Sequence, residues 1–201
     1  TVWTAAETAA VAEAAHRAGA VVHLDGARIF NAAVALGVPA AELAAPVDSV
    51  TFCLSKGLSA PVGSIVAGSR AFIARARRAR QILGGTLRQA GVLAAAGLVA
   101  LAHYERLRED HATARALAEG LAAIPGVRID LEAVQTNIVY ADVRGTGRPA
   151  QALVEALAAE RVRALAVGAD RIRFVTHRHV EPGDIGPTLA AVRRAVTGAA
   201  A

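Results

Sequence analysis

Val21-Val22-His23-Leu24-Asp25-Gly26-Ala27-Arg28 and, further on, Val47-Asp48-Ser49-Val50-Thr51-Phe52-Cys53-Leu54-Ser55-Lys56-Gly57 decide the fold. Each is a short apolar run rich in β-branched residues that ends in a polar turn, which is how a buried strand reads. The stretch between them carries Pro39 and Pro46 around a helical pattern. Asp25 closes the first run and Lys56 follows the second 31 residues later, about the length of one strand-helix-strand crossover. Strands joined that way run parallel, so both residues are predicted at one sheet edge. In open α/β sheets, ligands bind outside the carboxyl ends of the strands.

Upstream, Thr4 and Glu7 fit a capping box that opens a helix, and Gly19 ends it. Downstream, residues 63–67 read as a third short strand and residues 72–83 as the helix after it. Strands alternating with helices argue for a mainly parallel sheet covered on both faces. Gly84-Gly85 breaks the chain, and Thr86 opens a helix whose Ala90–Ala102 portion is apolar on every side. A helix of that kind must be buried, in the core or against another subunit. A charged amphipathic helix over 103–123 ends at Pro125-Gly126. The pattern then changes to predicted strands at 127–131, 137–143, 162–167 and 171–176, with helices over 149–160 and 187–196. The expected division is a partial large domain at 1–103 and a small α+β domain at 104–201.

Composition excludes several classes. Of 201 residues, 54% are hydrophobic and 3% aromatic, which rules out a disordered or collagen-like chain. The longest uncharged apolar run, Ala90–Ala102, is far shorter than the ~20 residues that cross a bilayer, so the chain reads as soluble, with no membrane partner. Cys53 alone makes no intrachain disulfide; it reads as a buried small hydrophobe in a protein of the reducing cytoplasm. With no methionine and a start at Thr1-Val2-Trp3, the expectation is a C-terminal fragment. The net charge of +5 and pI near 10.5 raise a nucleic-acid reading. The densest basic stretch, Arg70–Arg80, spaces Arg75, Arg77, Arg78 and Arg80 against Phe72, Ile73 and Ile82, which makes a solvated helix face. Without a stacking ladder, a zinc knuckle or a helix-turn-helix, no nucleic-acid partner is expected.

The basic residues carry the chemical argument. Of 22, one is lysine and the remainder arginine, so the retained amine at Lys56 needs a local reason. An amine that forms a Schiff base cannot be arginine, whose guanidinium stays protonated and is a poor nucleophile. Singly, Lys56 also reads as a surface lysine at a strand end, and Asp25 as the N-cap of the helix that follows. Jointly they are the carboxylate and amine that pyridoxal phosphate needs, one holding the ring nitrogen protonated and the other binding the aldehyde. No His/Cys/Asp cluster with metal spacing surrounds them, so no metal is expected.

His23-Leu24-Asp25-Gly26-Ala27-Arg28 with Phe30-Asn31, then Ser55-Lys56-Gly57-Leu58, then Gly84-Gly85-Thr86-Leu87-Arg88-Gln89-Ala90-Gly91, then Arg173-Phe174-Val175-Thr176-His177, resemble in order the low-specificity L-threonine aldolases. These are fold-type-I pyridoxal-phosphate enzymes, and the resemblance spans nearly the whole chain. It implies an α/β fold: the C-terminal part of an aspartate-aminotransferase-like large domain followed by a small α+β domain. By resemblance, Lys56 forms the Schiff base with pyridoxal 5'-phosphate, Asp25 binds the pyridine nitrogen, and Arg28 lies beside cofactor and substrate. Arg173 matches the arginine that grips the substrate carboxylate, and Arg88 one near the cofactor phosphate of a neighbouring subunit. His23 and His177 read as structural. The implied reaction cleaves L-threonine or L-allo-threonine, small β-hydroxy amino acids, to glycine and acetaldehyde, in a homo-oligomer, dimer or tetramer. No Gly-rich phosphate loop precedes His23, and the ring-stacking histidine has no counterpart here, so weak or absent activity is expected of the fragment itself. The alternatives are another fold-type-I reaction, an aminotransferase or β-eliminating lyase, and a non-catalytic remnant that serves in oligomerisation.

Overall fold

A computed structural model describes residues 1–198 and divides them into two units, Val2–Leu107 and the chain from Arg108 onward. The boundary expected near residue 104 compares with a division at the first residue of a helix, just after a 3-10 turn at Tyr104–Arg106.

The first unit opens with α1 (Ala5–Arg17). Its capping box forms: the Glu7 backbone N–H donates to Thr4 Oγ1 at 3.2 Å, and Thr4 N–H donates back to the Glu7 carboxylate at 2.8 Å. β1 (His23–Asp25), α2 (Ile29–Leu36), α3 (Ala40–Ala44) and β2 (Ser49–Cys53) make the expected crossover. β1 pairs parallel to β2, with Asp25 opposite Thr51. His23 bridges the two strands through its side chain, Nδ1 to Ser49 Oγ at 2.9 Å and Nε2 to Thr51 Oγ1 at 3.0 Å.

The sheet departs from the expectation in two respects. β3 (Ser64–Gly68) runs antiparallel to β2 over five positions, so the α/β sheet is mixed rather than mainly parallel. The chain returns through a turn only about ten residues long, and a parallel return needs a longer crossover. Nor are both faces covered: every β3 residue and Val21 are exposed, and Cys53 is only half-buried. The apolar pattern records a demand for burial that the described residues of this unit leave unmet.

α4 (Arg70–Ile82) is capped by Ser69 and buries none of its residues. α5 (Gly91–Ala102) is the helix expected to be buried, yet Val92, Leu98 and Val99 are 80%, 69% and 61% exposed. Gly97 is its one buried residue, and a Cβ there would come within 3.0 Å of Leu54 Cδ1. The unit's interior is two small clusters, Leu54, Leu58, Ala60 and Leu107, and Ile29, Ala33 and Leu43. Phe30 stands 5.4 Å from the rings of both Phe52 and Tyr104.

The second unit has a far larger core. α6 (Leu107–Ala122), α7 (Ala150–Ala159) and α8 (Ile185–Thr197) bring Leu117, Leu121, Leu153, Leu157 and Val192 together with sheet residues Val139, Ile172 and Phe174. That sheet is antiparallel, ordered β4 (Ile138–Asp142), β6 (Arg171–Val175), β5 (Leu165–Ala166). The strand expected at 127–131 shrinks to a single bridge between Arg128 and Asp142. Gly126, at φ +83 and packed backbone-to-backbone on Gly145, turns the chain into that bridge, and a turn at Asp130, whose carbonyl accepts the Ala133 N–H at 3.2 Å, ends the pairing. At the far end of β6, Thr176 donates to the Asp110 carbonyl at 2.6 Å and exchanges bonds with Asn137, which pins the strand to α6.

Candidate active site

Because β1 and β2 are parallel, their carboxyl ends share one edge, and the structure places Asp25 and Lys56 there. Asp25 is the last residue of β1; its Oδ1 accepts from the Ala27 backbone N–H at 3.1 Å, a local turn that holds the carboxylate at the strand end. Gly26 lets this turn lie against β2, since a Cβ would meet Val50 Cγ2 at 3.0 Å and the Thr51 carbonyl at 3.1 Å. Arg28 follows as the half-buried N-cap residue of α2.

Lys56 sits three residues beyond β2 in a turn held at several points. Leu54 N–H donates to the Gly63 carbonyl at 2.9 Å, Ala60 N–H to Leu54 at 3.0 Å, and Ser59 N–H to the Lys56 carbonyl at 2.8 Å. Ser59 adopts φ +62, in the left-handed region. The Lys56 side chain is exposed and makes no hydrogen bond or ion pair among the described residues. A rigid turn carrying an uncommitted primary amine, at the same edge as a carboxylate, suits an aldehyde-bearing cofactor with a basic ring nitrogen.

Gly57 shows what the sequence reading missed. A Cβ there would lie 2.9 Å from Leu107 Cδ2 and 3.0 Å from Asn31 Oδ1, so the lysine turn is pressed against α2 and the start of α6. Asn31 is buried. The signal for it was present, a lone polar residue inside the apolar Ile29-Phe30-Asn31-Ala32-Ala33 run, but only the fold shows that it faces the lysine turn.

The remaining candidates are Arg88, Arg173 and His177. Arg88 is exposed in the connection between α4 and α5. Arg173 belongs to the second unit, on β6 directly opposite Tyr140, and its Nε is buried without a hydrogen-bond partner. A buried guanidinium N–H left unmatched is suited to an incoming carboxylate. His177 lies past the end of β6, exposed, with Nδ1 accepting from the His179 N–H at 3.2 Å. Among the described residues no three His, Cys, Asp or Glu side chains are grouped to hold a metal ion, and no helix is long and apolar enough to cross a membrane.

Comparison with known proteins gives a consistent picture. The Beta-eliminating lyase family matches residues 1–144. Low-specificity L-threonine aldolase 1 of Arabidopsis thaliana is 44% identical over 191 residues, covering 94% of this chain and 53% of that protein. The low specificity L-threonine aldolase of Escherichia coli is 43% identical over 170 residues, 84% of this chain and 49% of that one. The chain thus spans about half the length of these curated relatives. Among solved structures, the Leishmania major threonine aldolase superposes with a TM-score of 0.74 at 17% identity, over 96% of this chain and 57% of that chain.

Proposed function

Because this chain belongs to the Beta-eliminating lyase family, we propose that it is the lysine-bearing part of a pyridoxal-phosphate enzyme that cleaves L-threonine or L-allo-threonine to glycine and acetaldehyde. The observation that carries the reading is the pair at one sheet edge, an uncommitted amine at Lys56 and a strand-end carboxylate at Asp25. The 43–44% identity to threonine aldolases supports this substrate class within the family.

When bound, pyridoxal phosphate supplies an electron sink for the pair released as the substrate's Cα–Cβ bond breaks. The chain's own residues do the rest. Lys56 Nζ is the primary amine that would hold the cofactor aldehyde. The Asp25 carboxylate would hold the ring nitrogen of that cofactor protonated by charge and hydrogen bonding. Arg28 orients the substrate beside it. Arg173, with its unmatched Nε, is the carboxylate-gripping arginine, and Arg88 a phosphate contact toward a neighbouring subunit. The base that takes the β-hydroxyl proton is assigned to no residue of this chain.

We also propose that the protein is a homo-oligomer and that α5 is one of its contact surfaces, since its exposed Val92, Leu98 and Val99 form the kind of apolar patch that marks an interaction site. Its single half-buried thiol, Cys53, accords with a reducing cytoplasm.

The test uses the chain's composition. Lys56 is the one lysine of the sequence, so incubation with pyridoxal 5'-phosphate, borohydride reduction and peptide mapping tests it directly. Label on Lys56 supports the assignment; label anywhere else, or none, overturns it. Product analysis of the holoenzyme then separates the reactions: glycine and acetaldehyde identify the aldol cleavage, whereas 2-oxobutyrate and ammonia would identify β-elimination.

A further inference from the structure

The second unit contains a cleft of about 710 Å³ that shares no residue with the candidate active site. It lies where the α7–β5 connection, the end of β6 and the first turns of α8 meet, with Leu117, Phe174 and Ile185 among its apolar lining. That volume is within the roughly 300–1,000 Å³ of small-molecule sites.

Its charged lining is unequal. Glu160 is occupied by Arg194, whose Nε donates to both carboxylate oxygens at 3.1 Å. The Asp184 carboxylate accepts the Glu181 backbone N–H at 2.8 Å. Arg161 and Arg163, from the α7–β5 connection, have no side-chain partner among the described residues. His177 and His179 line the cleft from the segment after β6. The acids are thus engaged within the protein, and two guanidiniums, the His179 imidazole and Nε2 of His177, whose Nδ1 accepts the His179 N–H, are left to face a ligand.

Arg161 adds an independent sign. It is the residue just past the C-cap of α7, and the bonds of Val162 N–H to Leu157 at 2.9 Å and Arg161 N–H to Ala158 at 3.0 Å form a Schellman motif. The position has φ +65, where glycine or asparagine is usual because a larger side chain is strained. An arginine held there against its backbone preference is placed for its side chain rather than for the turn.

We propose that this cleft binds a small organic anion, a carboxylate or phosphate monoester carried on an apolar body. Arg161 and Arg163 take the anionic head group, His177 and His179 flank it, and the apolar lining takes the body. The proposal does not depend on the aldol reading.

The experiment is a heteronuclear NMR titration of the 201-residue chain with phenyl phosphate, benzoate and inorganic phosphate. Saturable shifts are expected at the amides of residues 161–163 and 177–179, with a ring-bearing anion at least tenfold tighter than inorganic phosphate. The phenyl phosphate and benzoate arms report which head group is preferred. Arg161→Gly relieves the strained backbone, so it is expected to leave the melting temperature unchanged or higher while weakening the tighter anion at least tenfold. Affinity unaltered in Arg161→Gly combined with Arg163→Ala would overturn the proposal. So would shifts confined to the arginine-rich α4, inorganic phosphate binding as tightly as the ring-bearing anions, or no saturation by any of the three at about 1 mM.

Discussion

Replacing Lys56 by arginine keeps a positive charge at the sheet edge and removes the nucleophilic amine, so it separates electrostatics from covalent chemistry. The expected outcome is loss of borohydride-trapped cofactor from position 56, with the circular dichroism of the chain unchanged. Asp25→Asn makes the complementary change, keeping the shape and the local turn to Ala27 while removing the anion. Loss of a charge-assisted bond at a reacting centre costs about 2–4 kcal/mol, or about 30- to 1,000-fold in rate. Cofactor trapping at Lys56 should persist in this variant; an unaltered cleavage rate would reduce Asp25 to a turn residue. Gly57 tests packing rather than charge. Its backbone is not in the left-handed region, so Gly57→Ala fails only through the 2.9 Å approach to Leu107 and the 3.0 Å approach to Asn31. Overpacking of that kind costs about 1–3 kcal/mol, read as a lowered urea midpoint.

Among the elements, α5 shows why composition and burial must be read separately. Its sequence is apolar all round, which dictates that something cover it, but not what. Among the described residues only the Gly97 side is closed, against Leu54. Leu98→Glu is therefore expected to leave the thermal stability of the single chain within about 0.5 kcal/mol, as surface changes usually do. In sedimentation it should shift the protein toward monomer. An unchanged sedimentation mass would remove α5 from the proposed interface. The neighbouring helix α4 is the opposite case: five arginines and no fully buried residue, held by its Ser69 cap and by Phe72 against Gly68 of β3.

At the scale of the whole molecule, acid acts on the second unit through Asp142. Asp142, at the end of β4, accepts the Arg144 guanidinium and then its backbone N–H at 3.1 Å, and together these hold its carboxyl down at about 2. A carboxyl titrating lower in the folded than in the unfolded state stabilises the fold above its ordinary range. That contribution is lost as the pH falls from about 4 to about 2. The urea midpoint of the second unit should decline across this window. Arg144→Ala should raise the Asp142 titration toward the ordinary carboxylate value, as NMR would show, and flatten the decline.

What the sequence alone determined is whatever is encoded locally. Thr4 and Glu7 announce a helix start, Gly19 its end, and the two strand-and-turn runs around Asp25 and Lys56 imply a crossover that must bring their carboxyl ends to one edge. Each follows from neighbours within a few residues or from the handed geometry of a single connection. The tertiary structure alone decided what depends on residues distant in sequence. The antiparallel return of β3 and the reduction of 127–131 to one bridge rest on pairing partners, which no local pattern contains. Asn31 beside Gly57, the unmatched Nε of Arg173 and the strained Arg161 in its cleft are likewise products of packing. Hydrophobicity reports how strongly a surface must be buried; only the assembled chain shows which surfaces it has covered.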